Sequence, residues 1–123
     1  MPNILIAGEG IKSELIKTKI KKYKNLKFYN KFLTEAEKKY VLKNATAFLF
    51  PSISEAETLG LTQIEAMSQG CPVINTYLNT AVPYVSLNNL TGKTIVPNDH
   101  ELLAYTINKF PKKHSKKWRY FSK

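Results

Sequence analysis

The chain has 123 residues, enough to bury the core of one domain and too few for two. It carries 19 lysines and arginines against 9 acidic residues, a formal net charge of +10, yet Arg119 is the only arginine. Arginine is the usual reader of phosphates and base edges, so this balance argues against a sequence-reading nucleic-acid binder. The lysines read either as solvated helix faces or as attraction towards a nucleotide, a polyanion or an anionic membrane surface.

Short apolar runs alternate with helical patterns along the chain. The first run covers residues 3–7, directly at the start of the sequence, so no signal peptide is expected. A lysine-studded helix over residues 11–23 follows, with Leu15 and Ile16 expected to point inward, and then a second strand over residues 25–29. The next helix opens on a capping box, Thr34 with Glu37 three residues later. A third strand is expected over residues 45–50 and a helix over residues 59–69, stopped by Gly70 in a left-handed turn. The fourth strand covers residues 72–75, with one or two helical turns near residues 81–85. The fifth covers residues 93–96 and leads into a helix capped by Asn98 with Glu101. From residue 110 the composition turns basic and aromatic without apolar periodicity.

Alternating strands and helices predict an α/β fold, a three-layer Rossmann-like parallel sheet of five strands. The expected division is a domain over residues 1–109 and a basic aromatic tail over residues 110–123. No apolar run approaches the ~20 residues that span a bilayer. The single Cys71 rules out an internal disulfide and fits a reducing compartment. A soluble, cytoplasmic protein is therefore expected, with Cys71 as a small buried residue rather than a nucleophile.

The segment from Phe48 to Ile74 carries the chemistry. A strand delivers the chain to the carboxyl edge of a parallel sheet, where open α/β folds bind ligands. A helix begins near residues 59–61, and its free amides attract phosphate. Gly60 has no side chain to block that approach. Glu65 lies about five residues on, roughly 8 Å along the axis, where a carboxylate can accept protons from ribose hydroxyls. Glu57, eight positions before it, can meet hydroxyls on the other side of the phosphates, and Glu55 reads as a solubilising carboxylate. Two carboxylates flanking a phosphate-binding helix start suit a nucleotide-sugar.

The same segment resembles the retaining glycosyltransferases of family 4, or group 1, which have the GT-B fold. Their pattern is matched by Pro51, Ser52, Glu57, Gly60, Leu61, Glu65, Ala66, Met67, Gly70, Pro72, Val73 and Ile74. Further matches are AGEG after the first strand, VPYV from Val82 to Val85 and TGKTIVPND from Thr91 to Asp99. Similarity is greatest to members that build bacterial surface polysaccharides. The resemblance implies that Glu65 holds the ribose, that Glu57 is catalytic and meets the transferred sugar, and that amides of Gly60 and Leu61 face the diphosphate. It further implies that Lys31 and Phe32 line the base pocket, and that neither a cofactor nor an essential metal is needed beyond the nucleotide-sugar donor.

The chain departs from the family in two ways. Thr58 and Leu59 stand where glycine and phenylalanine are usual. The family's first strand and helix, with an arginine and a lysine that neutralise the diphosphate, have no counterpart. Losing such a clamp costs several kcal/mol, or about a thousandfold in rate. The missing strand is the central one of the family order 3-2-1-4-5-6, so closing the gap predicts the order 2-1-3-4-5. The expected function is the donor-binding part of a retaining glycosyltransferase of polysaccharide or glycan biosynthesis. The isolated chain is then inactive or incomplete and works with a separate acceptor-binding domain or subunit, in peripheral contact with a membrane. The competing readings are a non-catalytic nucleotide-binding relic and a basic module for nucleic acid or anionic membrane.

Overall fold

A computed structural model describes residues 3–52, 54 and 60–111. Its contacts divide the chain into two compact units, Met1–Lys38 and Lys39–Lys123.

The first unit is one βαβ element: strand β1 (Ile4–Ala7), helix α1 (Ser13–Ile20) and strand β2 (Leu26–Tyr29). The strands are parallel, with Ile4 opposite Leu26 and Ala7 opposite Tyr29, a pairing that requires a crossover such as α1. Ile4, Ile6, Leu26 and Phe28 are half-buried, whereas Leu5, Ala7, Lys27 and Tyr29 are exposed. Two strands under one helix have only one face to bury. Of the pair expected to point inward from α1, Ile16 is half-buried and Leu15 is 50% exposed. Neighbours on a helix lie 100° apart, and a surface this narrow covers only one of them.

Helix α2 (Glu35–Asn44) starts with the expected capping box. The Glu37 N–H donates to Thr34 Oγ1 at 3.1 Å and the Thr34 N–H donates to Glu37 Oε1 at 2.9 Å. Farther along, Leu42 is buried and belongs to the core of the second unit.

That second unit holds strands β3 (Phe48–Leu49), β4 (Val73–Thr76) and β5 (Gly92–Ile95) in one parallel sheet of order β3-β4-β5. Helix α3 (Leu61–Ser68) joins β3 to β4, a short helix α4 (Val82–Val85) lies between β4 and β5, and α5 (His100–Lys109) follows β5. Central β4 is buried at all four positions, as a parallel strand covered on both faces must be. Leu42, Ala66, Met67, Cys71 and Val73 form the core, with Phe48, Phe50 and Val85 packed against it. Full burial of a side chain of that size stabilises by about 1.5–3 kcal/mol.

Helix α3 ends as expected at Gly70, whose φ is 75°. The Gly70 N–H donates to Met67 O and the Cys71 N–H to Ala66 O, both at 3.0 Å, which is the paired bonding of a Schellman stop. The cap of α5 differs from expectation. Asp99, not Asn98, holds the first turn, its Oδ1 accepting from the Leu102 N–H at 2.9 Å. Asn98 occupies the left-handed region at φ 61°, whereas an N-cap residue is extended.

The α/β class and the parallel strands are as expected, but the single five-stranded sheet of order 2-1-3-4-5 is not formed. Within each sheet the expected order holds, as β1-β2 and as β3-β4-β5. Among the described residues no ladder joins β1 to β3. The N–H groups of Phe48 and Phe50 both donate towards β4, to the carbonyl of Pro72 just before that strand and to the carbonyl of Ile74 within it. The tail beyond Pro111 lies outside the described residues.

One close approach fixes the sheet. Gly92 stands opposite Val73 in the β4–β5 ladder with φ 153°. A Cβ there would overlap the Val73 carbonyl oxygen and lie 2.7 Å from its nitrogen. Since the obstacle is backbone, no rotamer relieves it. Gly92→Ala should lose roughly 3 kcal/mol or more, combining overpacking with backbone strain. Thermal melts followed by circular dichroism should show a much lower midpoint or no cooperative transition; a wild-type melt would refute the close approach.

Candidate functional site

The loop–helix junction at α3 is built from strand ends. β3 and β4 are neighbouring parallel strands, and α3 starts after the carboxyl end of β3. The N-cap is Gly60, in the left-handed region at φ 75° and ψ 70°, with no side-chain cap. A Cβ at Gly60 would come within 2.9 Å of Gln63 Nε2 and 3.0 Å of the Phe50 ring. Both the dihedral and the space therefore demand glycine. The Gln63 N–H donates to Gly60 O at 2.9 Å, while the amides of Leu61 and Thr62 have no intrahelical acceptor. Leu61 is 68% exposed.

Gln63, Ala66 and Met67 form the buried face of α3. Glu65 follows Leu61 by four residues and so shares its side of the helix, turned from that buried face. The residue is nevertheless half-buried, neither sunk in the apolar interior nor fully open to solvent. Glu57 and Glu55 lie outside the described residues.

Lys31 and Phe32 belong to the first unit, in the turn after β2. The Lys31 N–H donates to Tyr29 O at 2.8 Å, and Phe32 is 71% exposed. The turn is ordered by Glu37, whose Oε2 also accepts from the Tyr29 hydroxyl at 3.4 Å. The backbone N–H of Thr34, then the hydroxyls of Thr34 and Tyr29 and the charge of Lys31, hold the Glu37 carboxyl below the ordinary value despite some desolvation.

A feature absent from the sequence reading of the site is a cleft of about 210 Å³ in the first unit. Ile6, Ile16 and Phe28 line it together with Gly8, Gly10, Lys12 and Ser13. The Gly10 N–H donates to Ser13 Oγ and the Ser13 N–H to Gly10 O, both at 3.1 Å, which tightens the loop into α1. The AGEG run before a helix was the available signal. Sequence reasoning also missed the buried amides Gln63 and Asn75, because a polar residue in a strand or helix reads as exposed. Among the described residues, no helix is long and apolar enough to cross a membrane.

Parallel strands with crossover helices and a glycine-entered helix at the strand ends place the chain in the Rossmann-like α/β class. The apo form of the lipopolysaccharide outer core galactosyltransferase WaaB shares this fold, with a TM-score of 0.73 at 23% identity over 88% of this chain and 31% of that one. The family model for glycosyl transferases group 1 matches residues 2–123, and the chain belongs to that family. Its GT-B relationship is therefore as the sequence implied. The O-antigen chain mannosyltransferase C of Escherichia coli is 20% identical over 108 residues, which make up 88% of this chain and 29% of that protein. The chain thus spans just under a third of the length of these relatives.

The lowered carboxyl of Glu37 sets a pH dependence. Its stabilising effect is fully present above the unfolded-state value, about 4.3, and is lost as pH falls through the lower folded value. Glu37→Gln should remove this part of the acid sensitivity while keeping a cap-competent amide. Thermal melts from pH 6 to pH 3 should therefore show a smaller loss in the variant, and identical profiles would exclude the linkage.

Proposed function

We propose that this chain is the nucleotide-sugar-binding part of a retaining glycosyltransferase of glycan biosynthesis. A separate acceptor-binding domain or subunit completes the enzyme. The observation that carries the reading is the start of α3. A helix whose N-cap is a left-handed glycine, Gly60, opens at the carboxyl end of parallel strands, with Glu65 half-buried on the Leu61 side one turn further on.

In this reading the amides of Gly60 and Leu61 take the diphosphate, aided by the positive end of the α3 dipole, which contributes about 0.3–1 kcal/mol. Glu65 accepts the ribose hydroxyls, at about 1.5–3 kcal/mol for each charge-assisted bond. Glu57 meets the transferred sugar as the catalytic group. The donor's anomeric carbon–oxygen bond breaks with its electron pair passing to the diphosphate. The acceptor hydroxyl oxygen then bonds the same carbon on the same face as its proton passes to the departing diphosphate oxygen. No metal is assigned a role in these steps.

The named activities of the relatives, on an O-antigen chain and on lipopolysaccharide outer core, support a surface-glycan acceptor. A chain with a net charge of +10 is suited to work in the cytoplasm beside an anionic membrane. The mannosyl and galactosyl relatives together point to a hexose donor without choosing between them.

Isothermal titration calorimetry with UDP- and GDP-hexoses tests the assignment. Wild-type protein should bind one of them, with or without EDTA. Glu65→Ala should weaken that binding by about 10–100-fold, the equivalent of one to two charge-assisted bonds, without a matching fall in melting temperature. Absence of heat with every donor would remove this function and leave a relic or a basic interaction module.

A further inference from the structure

We propose that Gln63 and Asn75 are positioning residues, a buried amide pair that sets the first turn of α3 against the first carbonyl of α4 and thereby shapes the diphosphate grip. The ligand half of this inference rests on the donor reading above; the positioning half rests on geometry alone.

Both side chains are wholly buried. An amide taken from water without partners costs roughly 1–3 kcal/mol by protein measurements, so an interior pair persists only where its bonds are made. The Asn75 Nδ2 group donates to Gln63 Oε1 at 2.7 Å, to Val82 O at 3.1 Å and to Ser86 O at 3.2 Å. Gln63 Nε2 donates to the same Val82 carbonyl at 3.3 Å. An NH2 group has two protons, so three acceptors share them. Asn75 Oδ1 is buried and has no hydrogen-bond partner among the described residues. The side chain is therefore oriented by its donors alone. Turning the amide over would set its oxygen against three others.

The pair links two elements that cannot place themselves. Helix α4 has four residues, far below the length at which a helix is stable alone. Its Val82 carbonyl and the Ser86 carbonyl just past it are the groups held by Asn75. On the other side, Gln63 Nε2 fills the space that Gly60 leaves by having no Cβ, 2.9 Å from where that atom would stand. One continuous line of contacts thus runs from Gly60 through Gln63 to Val82, with Asn75 on β4 bracing it. α3 and α4 follow the adjoining parallel strands β3 and β4. The spacing of their starts is set by side-chain amides in the core rather than by loop backbone.

The experiment compares the full chain with Gln63→Met, which keeps length and volume but removes the bonds. Leu42→Ala, a core truncation outside the pair, serves as the stability control. Hydrogen exchange should be at least tenfold faster in Gln63→Met at the amide of residue 63, which donates to Gly60 O, and at those of Tyr84 and Val85, which donate to Ala81 O, while the Val73 and Tyr77 amides, bonded to Thr91 O and Ile95 O across to β5, keep their protection. Calorimetry with UDP and GDP, and with uridine and guanosine, should show at least a tenfold loss for the diphosphate that wild type binds and no change for its nucleoside. Leu42→Ala should lower the melting temperature and leave that affinity intact. Unchanged exchange at the three amides overturns the inference, as does an equal affinity loss in Leu42→Ala. If wild type binds neither diphosphate, the donor reading fails and the exchange result alone decides the positioning role. Should Gln63→Met not fold, Asn75→Ser, which removes the Nδ2 donors on the other side of the pair, is read by the same measurements.

Discussion

The architecture of the second unit depends on a conflict inside β4. The strand is buried at every position, yet its last two residues, Asn75 and Thr76, are polar. In a dry interior, such groups must find partners. Thr76 Oγ1 donates to Ser52 O at 2.7 Å, tying down the chain that leaves β3. Asn75 reaches Gln63 on α3 and two carbonyls at α4. The carboxyl edge of the sheet is stitched together from within by the strand that holds its centre. Catalytic and binding groups in open α/β folds gather at that edge, so what satisfies the strand also arranges the candidate site.

Much of the fold was legible because the signals were local and redundant. The apolar runs gave the strands; Thr34 with Glu37 and Gly70 gave one helix start and one helix stop, each confirmed by its bonds. Errors arose where two residues competed for one role or where the outcome was set at a distance. Asn98 and Asp99 are both good caps, and backbone dihedrals chose between them. Leu15 and Ile16 are equally apolar, but a two-stranded sheet covers only one. The split between the β1-β2 and β3-β4-β5 sheets could not be read from strand spacing, since a missing ladder is a long-range fact. Of the candidate site, Gly60, Leu61 and Glu65 were readable by motif and fall together on α3. Gln63 and Asn75 were not, because burial of a polar residue depends on partners far along the chain.

Membership of the glycosyl transferases group 1 family and the shared Rossmann-like fold describe a scaffold, and chemistry is added to a scaffold by its loops. A mannosyltransferase and a galactosyltransferase both match this chain over 88% of its length. Glycine is required at two points of the scaffold by different obstacles, a backbone carbonyl at Gly92 and two side chains at Gly60. The first protects the sheet and the second the mouth of α3.

Cys71 adds a practical property. It is the one thiol in the chain and is wholly enclosed, with Sγ directed at the carbonyl oxygens of Ala45 and Pro72. An alkylating reagent can reach it only when the strand and helix around it part. The rate of its modification is then a natural clock for transient opening of this half of the chain, readable by mass spectrometry without any engineered label.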